Sequence, residues 1–370
     1  MKCKIVISLI GTLIMMVYGI AAAQTEIKVG IAGPLSGPSL ANGEQQEVGA
    51  QKAFEHLSDK GGLLGKEIVV ISVDDACEDR QAKAVARQLV SEGVNFVVGH
   101  LCSACSLAVN KIYEEAGIIM ISPASTNPKV TDEGGPNTFR VIGRDDQQGI
   151  IAGDYLANNY SKSNIAIIHD GQAYGLGLAT FTKSQLNKRG VTEAMFDSYK
   201  PDQKDYRLIV DKLVSKQTDV LYAGGYSGDI GIILRQAKKE LPNLRLVSGD
   251  ALVNTEFMLI AGEASEGTYF TFGPDMRQKP EAADVAAAIR EEDAYEPEGY
   301  TLYSYGAVQA WAQAVNQAGS LKPKAVINAL RTGSFDTVLG KIGFDEKGDV
   351  TGMSTFVWYV FGKEDYSPVK

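Results

Sequence analysis

The sequence predicts an α/β protein made of two doubly wound lobes, each built on a parallel sheet and joined by a hinge crossed more than once. Three observations carry this. Short apolar runs alternate with amphipathic helical segments, the pattern of βαβ units. The alternation breaks at Gly134-Gly135-Pro136 and again at Gly273-Pro274. The chain has 370 residues, 45% of them hydrophobic and 22% charged, enough for two substantial cores.

Ahead of the first lobe lies a separate segment. Lys2 and Lys4 precede an apolar run from Ile5 to Ile20, then Ala21-Ala22-Ala23. A basic start, an apolar stretch too short for a membrane span and an A-x-A site read as a secretory signal peptide cleaved after Ala23. Cys3 precedes the apolar run, so it is not placed to carry a lipid. The mature chain is expected to be exported, soluble and periplasmic. Its charge is -11, the -9 of the full chain less the two leader lysines, and nothing basic clusters, which excludes nucleic acid as a partner.

Ile27, Val29 and Ile31 alternate as the first strand, and GPLSGPSLANGEQQ leads into a helix bearing Ala50, Phe54 and Leu57. Strand Ile68–Val73 and a helix with Ala82, Val85, Ala86, Leu89 and Val90 follow. The next unit is the informative one: strand Phe96–Val98, a turn at Gly99, a helix opening near Ser103, strand Ile118–Ile121, then a loop of small residues, Ser122, Ala124, Ser125 and Thr126. Unpaired amides at a helix start and hydroxyls at neighbouring strand ends suit an anionic ligand group such as a carboxylate. The second series runs through a helix near Gln147–Tyr160, strand Ile165–Ile168, a helix from about Gly177 and a linking strand near Phe196. It continues with helix Tyr206–Val214, strand Asp219–Ala223, helix Ile230–Lys239 and strands Arg245–Val247 and Thr268–Phe272. Helices near Ala282–Arg290, Ser304–Gln317 and Pro323–Arg331 and strands Gly340–Phe344 and Phe356–Phe361 complete the chain.

In the second lobe Gly224-Gly225-Tyr226 ends one strand and Ser248-Gly249-Asp250 another. Tyr226 offers a hydroxyl and a flat face; Asp250 offers a carboxylate able to hold an ammonium group. Hydroxyls and amides on one side and an acid on the other make a site for a zwitterion, an amino acid. Nothing argues for catalysis. There is no P-loop, no G-x-S-x-G elbow and no His beside a nucleophile, and the Gly-Leu-Gly after Tyr174 lacks the third glycine of a dinucleotide loop. His56, His100 and His169 lack metal-ligand spacing, and no cofactor is implied. Of the three cysteines after the leader, Cys77 and Cys102 both sit at strand ends on one side of a sheet, which favours their pairing over Cys77–Cys105.

The segments GPLSGP (33–38), DDAC (74–77), GHLCS (99–103), ISPAST (121–126), IAIIHD and QAYGLGLA (165–179), GGY (224–226), LRQAK (234–238), IAGEASEG (260–267) and FDEKGDVTG (344–352) resemble the bacterial periplasmic leucine/isoleucine/valine-binding proteins. The resemblance runs in order over essentially the whole mature chain. It implies the type I periplasmic-binding-protein fold, with residues 24–143 plus 273–353 in one lobe, 144–272 plus 354–370 in the other, and three hinge crossings. It also implies a monomer that delivers an amino acid to an ABC permease, and a Cys77–Cys102 disulfide. By position Ser103, Ala124 and Thr126, with Ser125 in the same loop, would hold the ligand carboxylate. Tyr226 and Asp250 would hold the ammonium group, and Tyr174 would line the cleft. Asp250 stands where the family usually has Glu, Asn42 where it commonly has a Tyr against the ligand side chain, and Tyr300 near a usual Phe. A more polar pocket follows, of the kind that in relatives accepts alanine, proline or γ-aminobutyrate. A ligand sensor serving a separate membrane receptor is the other role compatible with the sequence.

Overall fold

The structure, a computed structural model, describes residues 26–353 and 356–369; the leader and its cleavage site lie outside the described residues. The first lobe runs β1 (Glu26–Gly33), α1 (Leu40–Asp59), β2 (Glu67–Asp74), α2 (Asp79–Glu92), β3 (Phe96–Gly99), α3 (Ser103–Ala116), β4 (Ile119–Ser122), α4 (Lys129–Asp132) and β5 (Thr138–Arg140). These strands form an all-parallel sheet in the order β2-β1-β3-β4-β5. β3 and β4 are buried along their whole length, as central strands covered on both faces must be. Helices α2 and α3 both stop at a left-handed glycine, Gly93 and Gly117, whose amide returns to the last-turn carbonyls. Each turn then feeds the next strand directly.

The second lobe contains α5 (Asp145–Tyr160), β6 (Ile165–His169), α6 (Ala173–Lys188), β7 (Met195–Ser198), α7 (Arg207–Ser215), β8 (Val220–Gly224), α8 (Ser227–Glu240), β9 (Arg245–Ser248), α9 (Glu256–Ala261) and β10 (Tyr269–Phe272). After α10 (Ala283–Glu292), α11 (Thr301–Ala318) and α12 (Pro323–Thr332), a small sheet of β11 (Phe335–Thr337), β12 (Gly340–Phe344) and β13 (Val350–Thr351) follows. α11 returns to the first lobe, where Trp311 stacks on Phe96 with ring centroids 4.4 Å apart. β14 (Val357–Phe361) and β15 (Tyr366–Pro368) then rejoin the second sheet, whose order is β15-β14-β10-β9-β8-β6-β7. The chain therefore passes between the sheets three times. No helix among the described residues is long and apolar enough to cross a membrane.

Several details differ from the sequence expectation. β7, expected as a linking strand, is the parallel edge of the second sheet beside β6. β14 and β15 pair antiparallel, because a strand arriving from the other lobe needs no crossover helix. Helix α6 begins at Ala173, four residues before Gly177, and includes Tyr174 in its first turn.

Candidate functional site

The carboxyl ends of the two sheets face each other. On the first lobe, Cys102 is extended and α3 starts at Ser103, leaving the first amides of a 14-residue helix without intrahelical partners. The Cys77–Cys102 disulfide ties this start to the loop after β2, so Cys105 is the free thiol, buried, and the Cys77–Cys105 alternative is not formed. His100 braces the same turn through Asp75 at 2.6 Å and Tyr113 at 3.0 Å. The loop after β4 is folded by Ser122, whose hydroxyl donates to the His100 carbonyl (2.7 Å) and accepts from the amides of Ser125 (2.9 Å) and Ala124 (3.3 Å). The hydroxyl of Ser103 accepts from the Asn127 amide at 3.2 Å. Thr126 is buried, and its hydroxyl faces the Asp145 carboxyl.

On the second lobe, Tyr226 caps α8 in an extended conformation, and its ring lies 5.3 Å from that of Tyr174. The turn before it needs glycine: Gly225 has φ +152°, and a Cβ there would stand 2.0 Å from the Tyr199 hydroxyl. Asp250, 1% exposed, opens a short turn after β9. Its Oδ1 accepts from the Tyr174 hydroxyl (2.8 Å) and Gln148 Nε2 (2.8 Å), and its Oδ2 from the Tyr300 hydroxyl (2.7 Å). Burial pushes the Asp250 carboxyl up from its ordinary value, and these three donors only partly oppose it. Burial and the Asp250 charge push the phenols of Tyr174 and Tyr300 well up, so both stay protonated donors.

Ser103, Ala124, Tyr174, Tyr226, Asp250 and Tyr300 meet around one cavity, together with Leu101 and Ala251. A larger depression between α7 and α8 is lined mainly by surface charges. The other three candidates lie differently. The Ser125 hydroxyl turns into the first lobe, donating to the carbonyls of His100 and Leu101 (3.0 Å each), because the β3–α3 turn leaves those acceptors without backbone partners. Asn42 clamps the lobes: its amide donates to the Ala251 carbonyl (3.3 Å) and its oxygen accepts from Asn254 (3.1 Å). Thr126, two residues after the cavity-lining Ala124, is not itself part of the wall.

Two polar residues of the site escaped the sequence reading. Gln148 embraces Asp250, accepting from its amide at 3.0 Å while donating to its carboxylate. Asp145, fully buried, takes a 3.3 Å bond from Gln148 on Oδ1 and faces the Thr126 hydroxyl. Burial first, then the Asp250 charge, push its carboxyl well up. The only signal was DDQQG at the start of a helix just past a chain crossing, where exposed caps are the ordinary reading.

Two lobes that meet around an enclosed cavity, with donors on one wall and a carboxylate on the other, define a hinged ligand-binding protein. The model of the periplasmic binding protein family matches residues 26–362, and the chain belongs to that family. It is 41% identical to Leu/Ile/Val-binding protein homolog 1 of Brucella suis over 91% of both chains. It is 38% identical to the leucine-, isoleucine-, valine-, threonine- and alanine-binding protein of Pseudomonas aeruginosa, over 91% of this chain and 90% of that one. Among solved structures, a leucine-binding protein of Thermotoga maritima superposes with a TM-score of 0.84 at 26% identity, covering 93% of this chain and 98% of the other.

Proposed function

We propose that the protein captures an aliphatic or neutral amino acid in the periplasm, with leucine, isoleucine and valine foremost, and delivers it to an ABC permease. It acts by closure and release, without turnover. The carrying observation is a cavity walled from both lobes, with the α3 start and Ser103 on one side and Asp250 on the other. The carboxylate end of the ligand meets amides and hydroxyls, and the ammonium end meets Asp250 and the tyrosines. We place the two moving bodies at 24–143 plus 273–353 and at 144–272 plus 354–370, in a monomer exported by cleavage after Ala23.

A second reading, smaller neutral amino acids such as alanine, proline or γ-aminobutyrate, is favoured by the polar lining of the cavity, where Tyr226, Tyr300 and Asp250 meet. The Tyr300 hydroxyl also occupies space that a phenylalanine would leave free. The Pseudomonas relative, whose name includes threonine and alanine, supports breadth of this kind. A thermal-shift screen of the twenty amino acids plus γ-aminobutyrate tests both readings, since a ligand specific for the folded state raises Tm. Aliphatic ligands are expected to give the largest rise. No rise with any of them would remove the proposal.

A further inference from the structure

Arg140, the last residue of β5, is 0% exposed, and every group on its guanidinium is used. Nη1 donates to the carbonyls of Ser125 and Asn127, each at 2.9 Å. Nη2 donates to the Pro128 carbonyl (3.4 Å) and the Thr131 hydroxyl, and Nε donates to Asp349. Asp349 is in turn held by the Thr131 hydroxyl (2.7 Å) and by Arg144 (2.7 Å), the residue that precedes α5 at the first chain crossing. A planar fork thus grips three carbonyls, those of Ser125, Asn127 and Pro128, in the loop that follows β4.

The opposite edge of that loop adjoins the cavity. In a trans peptide the C=O and the following N–H point in opposite directions. With the Ser125 carbonyl drawn onto Arg140, the Thr126 N–H is directed away from it. That N–H donates to no acceptor among the described residues although the residue is fully buried, while the Thr126 hydroxyl faces the Asp145 carboxyl. Buried orphan donors are rare and costly unless an acceptor meets them. Such an N–H, beside Ser103 and the open end of α3, is an anion-binding arrangement.

We propose that Arg140 is a positioning residue for the ligand carboxylate: by holding the carbonyls of Ser125, Asn127 and Pro128, it fixes the loop so that the Thr126 amide converges on the carboxylate with Ser103. It does not touch the ligand. The inference rests on the amino-acid reading above and adds the device that sets its carboxylate end. Lysine cannot replace it, because a point ammonium lacks the fork that spans several acceptors.

The test compares ligands with and without the carboxylate charge. L-Leucine and L-alanine, and the amides L-leucinamide and L-alaninamide, are titrated by calorimetry into wild type, Arg140→Lys and Asp349→Asn. Charge-assisted bonds to a buried carboxylate give the wild type a preference for the acid of about 100-fold or more. In Arg140→Lys this acid-over-amide ratio is expected to fall at least tenfold, with amide affinity little changed. Asp349→Asn, which leaves the guanidinium on the loop and loosens only its anchor, keeps the test alive should the lysine variant fail to fold, and a smaller fall of about threefold is expected. If Arg140 were only part of the scaffold, acid and amide would weaken together; an unchanged ratio in the folded variants overturns the inference alone. A wild type that binds none of the four ligands, nor any amino acid in the screen, overturns the function and the inference together.

Discussion

Replacing Asp250 by Asn separates what this residue does for the ligand from what it does for the fold. The carboxylate is buried, its ordinary pKa is pushed up by burial, and its three donors are two phenols and an amide, none of them cationic. An ammonium group of the ligand supplies the missing positive charge. Losing one partner of a buried charge pair costs about 2–5 kcal/mol, or about 30- to 5,000-fold in Kd at 1.36 kcal/mol per decade. The same change relieves the empty protein, because asparagine keeps the shape and can bond to Tyr174, Gln148 and Tyr300 with no charge to desolvate. Binding and ligand-free stability are therefore expected to move in opposite directions, with Kd rising at least 30-fold by calorimetry while the ligand-free Tm holds or rises. The wild type should also bind more weakly as pH falls through the raised Asp250 pKa, since a proton then competes with the ammonium; the Asn variant should be flat over that range. Affinity within threefold of wild type would refute the ammonium role. A large fall in ligand-free Tm would show that Asp250 is structural.

Asp170, whose Oδ2 has no partner, is pushed up to about 7 by burial and the Asp229 charge. Its folded pKa lies above the unfolded one, so its contribution is complete below the ordinary carboxylate range and is lost as pH rises toward 7. Asp170→Asn should gain on wild type between pH 5 and pH 8 in paired thermal melts; parallel profiles would count against it. Removing the Cys77–Cys102 bridge, which closes a separation of 25 residues, should cost about 3.5 kcal/mol in the loop-entropy model. With an unfolding entropy of about 2.1 cal/mol/K per residue, that is a Tm fall of about 5 °C in calorimetry with Cys77→Ser/Cys102→Ser, and no fall would mean that the reduced chain is already constrained. Tyr300→Phe removes the hydroxyl that joins lobe to lobe through Asp250, and should raise the ratio of leucine to alanine affinity in calorimetry. An unchanged ratio would take Tyr300 out of the side-chain pocket.

Much of the fold was legible because buried parallel strands and amphipathic helices impose different periods on the same residues. Phe96–Val98 and Ile118–Ile121 are unbroken apolar runs, and Gly93 and Gly117 stop the helices beside them. What escaped notice depends on contacts distant in sequence. β7 carries one buried residue in four, the weak signature of an edge. Six of the nine candidate residues meet at the cavity because strand ends and helix starts expose side chains by topology alone. Ser125 could not be separated from its neighbours, since all three residues after Pro123 are small and only the position of the His100 and Leu101 carbonyls decides which hydroxyl turns inward. Gln148 and Arg140 went unseen for the converse reason: a lone polar residue in a helix or at a strand end reads as surface until its partners, 102 and 209 positions away, are known.

The closed arrangement can be weighed from its own bonds. Across the cleft, Tyr300 meets Asp250, Asn42 meets Ala251 and Asn254, Gln45 meets the Val253 carbonyl at 2.8 Å, Asn127 meets the Ala173 carbonyl at 2.7 Å, and the Thr255 amide and hydroxyl meet Glu298. At about 1 kcal/mol net each, they favour closure by several kcal/mol. Closing also takes Asp250, with Asp145 beside it, out of water without a counter-cation, at a cost of several kcal/mol. The two sums oppose each other. A cationic ammonium entering the cavity would remove the larger part of the second cost and leave these bonds intact. A ligand shifts a hinge equilibrium only through its differential affinity for the two states. On the proposed amino-acid reading that difference resides chiefly at one carboxylate, which would make Asp250 both the recognition group for the ammonium end and the lever by which binding closes the lobes.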